Sequence, residues 1–219
     1  MNGSKVPSRA QDHGCWSAAR IIGMAAALLL AAACSPQPET LGPLAPDALI
    51  LAFGDSLTAG TGAAPGASYP SRLEALSGRR VINAGIPGEL SRGGVARLPG
   101  LLEEHRPDLL ILTHGGNDLL RRMHTEETRA NLETMIGLAR GRGIDVLLVA
   151  VPAPTLLRLR SDPLYAEIGR ELQVPVEDGA LAHVLARDAM KADPIHPNGD
   201  GYRYVAERIH RLLVKAGAL

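Results

Sequence analysis

The sequence predicts an α/β fold in which helices cover both faces of a parallel sheet. Five short runs of residues are mostly apolar, rather than alternating between apolar and polar positions. Strands that are buried on both faces have this pattern. Segments with a helical spacing of apolar residues separate the five runs, and parallel neighbours need such crossover connections.

The predicted elements follow one another in a regular order. Strands are predicted at residues 48–53, 80–84, 108–113, 144–151 and 174–176. Helices are predicted at residues 69–76, 92–105, 125–140, 164–172, 180–189 and 199–215. The third of these helices has the clearest boundaries, because Glu126 and Glu127 lie in its first turn and Gly141 follows its end. Pro99 is expected to kink or divide the second, because proline removes a backbone hydrogen bond.

The first 33 residues resemble an export signal rather than a folded domain. Lys5, Arg9 and Arg20 precede an apolar run at residues 21–33. A membrane-spanning helix needs about 20 apolar residues, so this run has the length of a signal-peptide core instead. The predicted organisation is a signal peptide at 1–33, a proline-rich tether at 34–47 and one domain at 48–219.

A cysteine follows the apolar run directly. Ala31, Ala32 and Ala33 before Cys34 resemble a lipobox, the signal at which bacteria acylate a cysteine and cleave before it. The expected product is a lipoprotein of the bacterial cell envelope, periplasmic and anchored to a membrane through Cys34. The alternative is an ordinary secretory signal cleaved near the same alanines, which leaves Cys34 free.

Composition excludes several classes of function. The formal net charge is zero, so no electrostatic attraction to nucleic acid is expected. The two cysteines, Cys15 and Cys34, precede the domain, which therefore has neither a thiol nucleophile nor a disulfide. No two histidines have the spacing of metal ligands, and no glycine-rich stretch matches a nucleotide-binding motif. We therefore expect neither a metal ion nor a cofactor.

Ser56, Gly85 and Asn117 each follow a different predicted strand. Because ligands bind at the carboxyl ends of parallel strands, one site can collect all three residues. A serine hydroxyl becomes a nucleophile only with a base in hydrogen-bond reach. The segment around Ser56 lacks the Gly-x-Ser-x-Gly elbow of α/β-hydrolases. Taken alone, Gly54-Asp55-Ser56 is also compatible with an ordinary turn.

Asp193 and His196 lie three residues apart, just before the last predicted helix. His196 is a candidate general base, and Asp193 could orient its imidazole. The alternative is purely structural, with Asp193 starting a turn and Asn198 or Asp200 capping the helix. Both descriptions can hold at once.

Acyl transfer also needs N–H groups aimed at the oxygen that becomes negative. The backbone N–H groups of Ser56 and Gly85 and the side-chain amide of Asn117 are the candidate donors of this oxyanion hole. The alternative for the segment from Gly115 to Asp118 is a tight turn, because glycine and asparagine tolerate positive φ.

In combination, these motifs resemble the SGNH (GDSL) hydrolase family, in its bacterial arylesterase, acyl-CoA thioesterase and lysophospholipase branch. The resemblance rests on GDSLTAG at 54–60, NAG at 83–85, HRPDLLILTHGGND at 105–118 and DPIHPNGDGY at 193–202. It implies a flavodoxin-like, three-layer α/β/α sandwich with a mostly five-stranded parallel sheet. It also implies Ser56 as nucleophile, His196 and Asp193 as its partners, and Gly85 and Asn117 as oxyanion donors.

Two departures from the family lie beside the expected site. Residues 87–90 read Pro-Gly-Glu-Leu, where relatives often carry Ser-Gly-Asp/Glu-Thr, and His114 stands where an apolar residue is more usual. Both bear on substrate preference more than on the reaction.

The expected activity is hydrolysis of a small ester or thioester through an acyl-enzyme on Ser56. A carbohydrate O-acetylesterase and a catalytically silent envelope binding protein are the alternatives. Leu156, Leu157 and Leu159, in the loop at 152–162, are a hypothetical contact for the acyl chain. The loop could equally be an ordinary surface segment.

Overall fold

The computed structural model describes residues 1–4, 40–153 and 159–219. Its central sheet contains five parallel strands, which are β1 (Leu49–Gly54), β2 (Arg80–Gly85), β3 (Leu109–Thr113), β4 (Asp145–Val149) and β7 (Val176–Glu177). Their order across the sheet is β2-β1-β3-β4-β7. Two further short strands, β5 (Pro152–Ala153) and β6 (Arg160–Ser161), pair with each other in antiparallel fashion. The predicted parallel α/β fold is confirmed.

Helices connect these strands and flank the sheet. They are α1 (Ser56–Ala59), α2 (Tyr69–Ser77), α3 (Ser91–His105), α4 (Gly116–Leu120), α5 (Thr125–Arg140), α6 (Pro163–Leu172), α7 (Ala180–Leu185) and α8 (Gly199–Lys215). Helix α2 packs against α8, and α3 packs against α5. All five residues of β3 are buried, as are the last five of β1. Their continuous apolar sequence therefore follows from cover on both faces of the sheet.

Several elements differ from the sequence-based prediction. Pro99 does not divide helix α3, which continues to His105, since the buried Leu98 and Leu102 anchor the helix on both sides of the proline. Strand β4 ends at Val149 rather than 151, because its partner β7 is only two residues long. The predicted helix at 180–189 ends at Leu185 and is followed by a short 3₁₀ turn (Asp188–Met190).

Part of the predicted tether packs on the domain. The N–H groups of Leu41 and Leu44 donate to the carbonyls of Ala216 and Ala218, each at 2.9 Å. Leu41 is also buried. The compact unit therefore begins ahead of residue 48. Residues 5–39, which hold most of the predicted signal peptide, Cys34 and the first part of the tether, lie outside the described residues. No helix within the described ranges has the length and apolar character to span a membrane.

Candidate active site

Ser56 begins helix α1 immediately after β1. Asp55 caps this helix by accepting a hydrogen bond from the Leu57 N–H at 3.0 Å. The turn is tight, because a Cβ on Gly54 would lie 1.9 Å from the carbonyl oxygen of Thr113 on the neighbouring strand. Ser56 itself is half-buried, so its hydroxyl is presented at the carboxyl end of the sheet.

His196 and Asp193 occupy the turn that precedes α8. One carboxylate oxygen of Asp193 accepts from the N–H groups of Ile195 and His196, both at 2.9 Å. Asn198 caps α8 by accepting from the N–H groups of Asp200 and Gly201. The turn and cap predicted as the structural alternative are thus both present, and they fix the side chains that face Ser56.

The three side chains form a continuous hydrogen-bonded chain. The Nε2 of His196 lies 2.9 Å from the Ser56 Oγ, and its Nδ1 lies 2.7 Å from the second oxygen of Asp193. A carboxylate only accepts, so Nδ1 carries the proton and Nε2 is left to accept from the serine hydroxyl. The hydrogen bond from His196 lowers the pKa of Asp193, which therefore stays ionised beside the imidazole.

Asn117 enters the same site from the junction of β3 and α4. Gly115 has a φ of +99°, a left-handed conformation that starts the turn into α4. The Asn117 Nδ2 lies 3.0 Å from the Glu89 carbonyl oxygen and 3.3 Å from the Asp55 Oδ2. Burial raises the pKa of Asp55. One N–H of the amide is thus held by the carbonyl, and the other faces the buried carboxyl at the longer distance.

Gly85 does not join this group. Its N–H donates to the side chain of Asn83 at 3.0 Å, and the residue does not line the cleft at Ser56. The geometry therefore does not support its expected role as an oxyanion donor. A glycine at a strand end is a suitable donor only if its N–H is free and points into the site.

Gly88 lies at the cleft instead. A hydrogen bond of 3.2 Å from the Glu89 N–H to the Ile86 carbonyl closes a turn, with Pro87 and Gly88 at its central positions. Gly88 has a φ of +78°, which a type II turn requires there. Among the described residues, nothing accepts a hydrogen bond from the Gly88 N–H. The Pro-Gly pair is the sequence signal by which this turn could have been predicted.

A cleft of about 470 Å³ opens beside Ser56, His196 and Asn117. Its lining is mostly apolar and includes Leu57, Pro87, Leu119, Leu120, Val151, Pro152, Leu159, Leu185, Pro194 and Ile195. The volume falls within the range of small-molecule sites, roughly 300–1,000 Å³. Leu159 of the hypothetical acyl-contact loop lies in this lining, whereas Leu156 and Leu157 lie outside the described residues.

Sequence comparison relates the chain to known hydrolases. Residues 52–204 match the model of the GDSL-like lipase/acylhydrolase family. An arylesterase of Vibrio mimicus is 34% identical over 176 residues, which cover 76% of this chain and 88% of the relative. The thioesterase 1/protease 1/lysophospholipase L1 of Escherichia coli K12 is 31% identical over 165 residues, covering 72% of this chain and 79% of the relative.

Solved structures support the same relationship. The crystal structure of TesA superposes with a TM-score of 0.69 at 31% identity, covering 77% of this chain and 99% of that one. AlinE4, an SGNH-hydrolase family esterase, superposes with a TM-score of 0.61 at 31% identity, covering 78% of this chain and 96% of AlinE4. The chain belongs to the GDSL-like lipase/acylhydrolase family. The prediction of an enzyme that hydrolyses ester or thioester bonds is thereby confirmed.

Proposed function

We propose that the chain hydrolyses acyl esters and thioesters in two steps through an acyl-enzyme on Ser56. In the first step the Ser56 Oγ attacks the carbonyl carbon while His196 Nε2 takes the hydroxyl proton. The tetrahedral intermediate then expels the alcohol or thiol, which receives that proton from His196. In the second step water attacks the carbonyl carbon of the acyl-enzyme while His196 takes a proton from the water. The bond between the acyl group and the Ser56 Oγ then breaks, Ser56 receives that proton from His196, and the carboxylic acid is released.

Three donors are assigned to the oxygen that becomes negative. They are the backbone N–H groups of Ser56 and Gly88 and the side-chain amide of Asn117. Gly88 takes the place that the sequence assigned to Gly85, because its N–H has no acceptor within the described chain and the residue lines the cleft. In Asn117, the N–H on the side of Asp55, at the long distance of 3.3 Å, is the one assigned to the substrate oxygen, because Asp55 and Asn117 both line the cleft.

The observation that carries this proposal is the hydrogen-bonded chain from Asp193 through His196 to Ser56, which opens into an apolar cleft. The 2.7 and 2.9 Å contacts meet the geometric requirement for a base and its orienting partner. An intact triad argues against a silent binding protein. No Phe, Tyr or Trp is among the described residues that line the cleft, which favours an acyl chain over a sugar as the bound group.

Leu120 is expected to contact the acyl chain of long-chain substrates. It lines the cleft and is 50% exposed, so a bound chain would cover it. Fully burying a leucine gains about 1.5–3 kcal/mol, so half of this area is worth about 1 kcal/mol. We expect Leu120→Ser to lower kcat/KM for p-nitrophenyl decanoate about fivefold, and to leave p-nitrophenyl acetate within about twofold. Steady-state rates on esters from acetyl to palmitoyl measure this.

The matched control is Leu76→Ser. Leu76 is 44% exposed on α2 and does not line the cleft, so the change removes a comparable side chain elsewhere. This variant should reproduce the chain-length profile of the unaltered chain. If Leu120→Ser lowered kcat/KM equally on the acetyl and decanoyl esters, Leu120 would lie at the leaving group. That result would contradict its proposed contact with the acyl chain.

We further propose that the enzyme is a lipoprotein of the cell envelope, anchored through Cys34. The support is the apolar run at 21–33 and the Ala-Ala-Ala-Cys sequence at its end. In bacterial cells fed an alkyne-tagged fatty acid, the chain should become labelled, and Cys34→Ser should remain unlabelled. Cys15→Ser is the matched control and should keep the label. A shortened chain that carries no label would instead indicate an ordinary secretory signal.

A further inference from the structure

Glu89 links three segments around the oxyanion site. Its carboxylate accepts from Arg97 of α3 through Nε at 3.0 Å and Nη2 at 2.6 Å. It also accepts from the His114 Nε2 at 3.1 Å, at the end of β3. The same Arg97 donates to the Ala84 carbonyl on β2 at 3.1 Å. A residue of the turn that carries Gly88 is therefore fixed to α3, β2 and β3 at once.

His114 is the buried member of a cluster that it forms with Glu89 and Arg97. Its side chain is fully buried, and its Nδ1 accepts from the Gly115 N–H at 3.0 Å. Nε2 therefore carries the proton that is donated to Glu89. A Cβ on Gly94 would lie only 2.8 Å from the His114 Nε2, so glycine at this position makes room for the ring. Gly94 thus accommodates His114, which stands where the family usually has an apolar residue.

The Glu89 carboxylate of this cluster keeps its negative charge. Burial of Glu89 raises the pKa of its carboxyl, but the hydrogen bonds from His114 and Arg97 outweigh this and lower the pKa to about 2. Glu89 is therefore ionised at any pH at which an esterase of this kind is assayed. The side chains of Glu89 and Arg97 are 11% and 23% exposed, so bulk water screens their bidentate contact only in part.

The backbone of Glu89 reaches the proposed oxyanion donor directly. Its carbonyl oxygen accepts from the Asn117 Nδ2 at 3.0 Å. An amide nitrogen has only two hydrogens, and fixing one of them fixes the direction of the other. Three hydrogen bonds hold the side chain of Glu89, and this limits the movement of its backbone as well. The backbone carbonyl of Glu89 therefore holds the Asn117 amide in a fixed orientation.

We propose that Glu89, clamped by Arg97 and His114, is a positioning residue that aims the Asn117 amide at the substrate oxyanion. The inference rests on the proposed function, in which Asn117 is an oxyanion donor. Glu89 itself makes no contact with the reacting atoms. Its effect is on the transition state, because the charge that Asn117 stabilises develops only there.

The first test measures kcat and KM separately in the full chain. Glu89→Ala is expected to lower kcat on p-nitrophenyl esters by about 10- to 100-fold, with KM within about twofold, because small misplacements cost up to about 100-fold. Glu89→Gln keeps the shape and one acceptor oxygen, and should recover part of the loss. The matched control is Glu133→Ala, which breaks an ion pair to Arg129 on α5 at 3.1 Å and should leave kcat unchanged.

The decisive test is a double-mutant cycle with Asn117→Ala, which alone should lower kcat by about 10²–10³-fold. If Glu89 acts through Asn117, adding Glu89→Ala to that variant produces no further loss beyond about threefold. A full multiplication of the two losses, or an unchanged kcat in Glu89→Ala, overturns the inference. If the alanine variant does not fold, judged by its unfolding midpoint, Glu89→Gln carries the cycle. Unchanged kcat in Asn117→Ala overturns the donor assignment and the inference together, whereas multiplicative losses leave the proposed function standing.

Discussion

Replacing Ser56 with alanine is expected to lower kcat for ester hydrolysis by about 10⁶-fold, close to the limit set by residual catalysis from the remaining site. The change removes the oxygen that forms the acyl-enzyme but leaves the apolar cleft, so substrate binding should persist. Initial rates with p-nitrophenyl butyrate, on protein whose folding is verified by its unfolding midpoint, measure the effect.

The control for this variant is Ser71→Ala. Ser71 lies on α2 and is exposed, and among the described residues its hydroxyl bonds only to the hydroxyl of Ser68, at 3.1 Å. Its substitution should leave kcat within about twofold. More than about 1% of the original rate in folded Ser56→Ala would show that another group performs the attack.

The second large effect is expected from Asp193→Asn. The asparagine carbonyl oxygen can keep the hydrogen bonds from the Ile195 and His196 N–H groups, which places the NH₂ group against the His196 Nδ1. Nδ1 must then accept, and the proton moves to Nε2. In that tautomer the imidazole cannot take the proton of Ser56, and kcat should fall by about 10⁴-fold. Steady-state kinetics on the same ester measure this.

Asp200→Asn is the corresponding control. Asp200 lies near the triad in sequence, but its carboxylate is exposed and pairs with Arg203 at 3.0 Å. This variant is expected to keep its kcat within about twofold. If Asp193→Asn behaved in the same way, the carboxylate of Asp193 would not orient the base, and that part of the proposal would be wrong.

The fold was largely predictable because its signals are local. Helices α5 and α8 have the predicted bounds, since acidic first-turn residues or a capping asparagine mark where they begin. Strands β1, β3 and β4 were predictable because burial on both faces leaves nearly continuous apolar runs. Helices α1 and α4 were not predicted, because they have only four and five residues, too few for a periodic pattern of apolar residues.

The site was predictable to the extent that its residues sit in short motifs. Ser56, Asn117, Asp193 and His196 were all expected, and the structure brings them together. Gly88, the donor that we propose, was not expected from the sequence, which favoured Gly85, because the choice depends on which N–H remains free after Asn83 and the Pro87 turn are in place. Such competition between acceptors is a tertiary property and has no periodic signal in the sequence.

The contacts of Glu89 with Arg97 and His114 were likewise not predictable from the sequence. Residues 87–90 and His114 were recognised as departures from the family, yet nothing in the sequence pairs Glu89 with His114, 25 positions away. Their contact depends on the approach of α3 to the end of β3. The space that admits the imidazole comes from Gly94, whose importance is visible only once the helix is docked.

The proposed mechanism requires Ser56 to be an activated nucleophile. An alkyl fluorophosphonate detects this activation, because the reagent forms a stable covalent bond only with a serine whose proton is accepted by a base. Peptide mass spectrometry of the treated chain should locate a single adduct on Ser56, with no adduct in Ser56→Ala and a much slower reaction in Asp193→Asn. A folded chain that remains unlabelled at Ser56, or that is labelled on another residue while still hydrolysing esters, would contradict the role of Ser56 as the nucleophile.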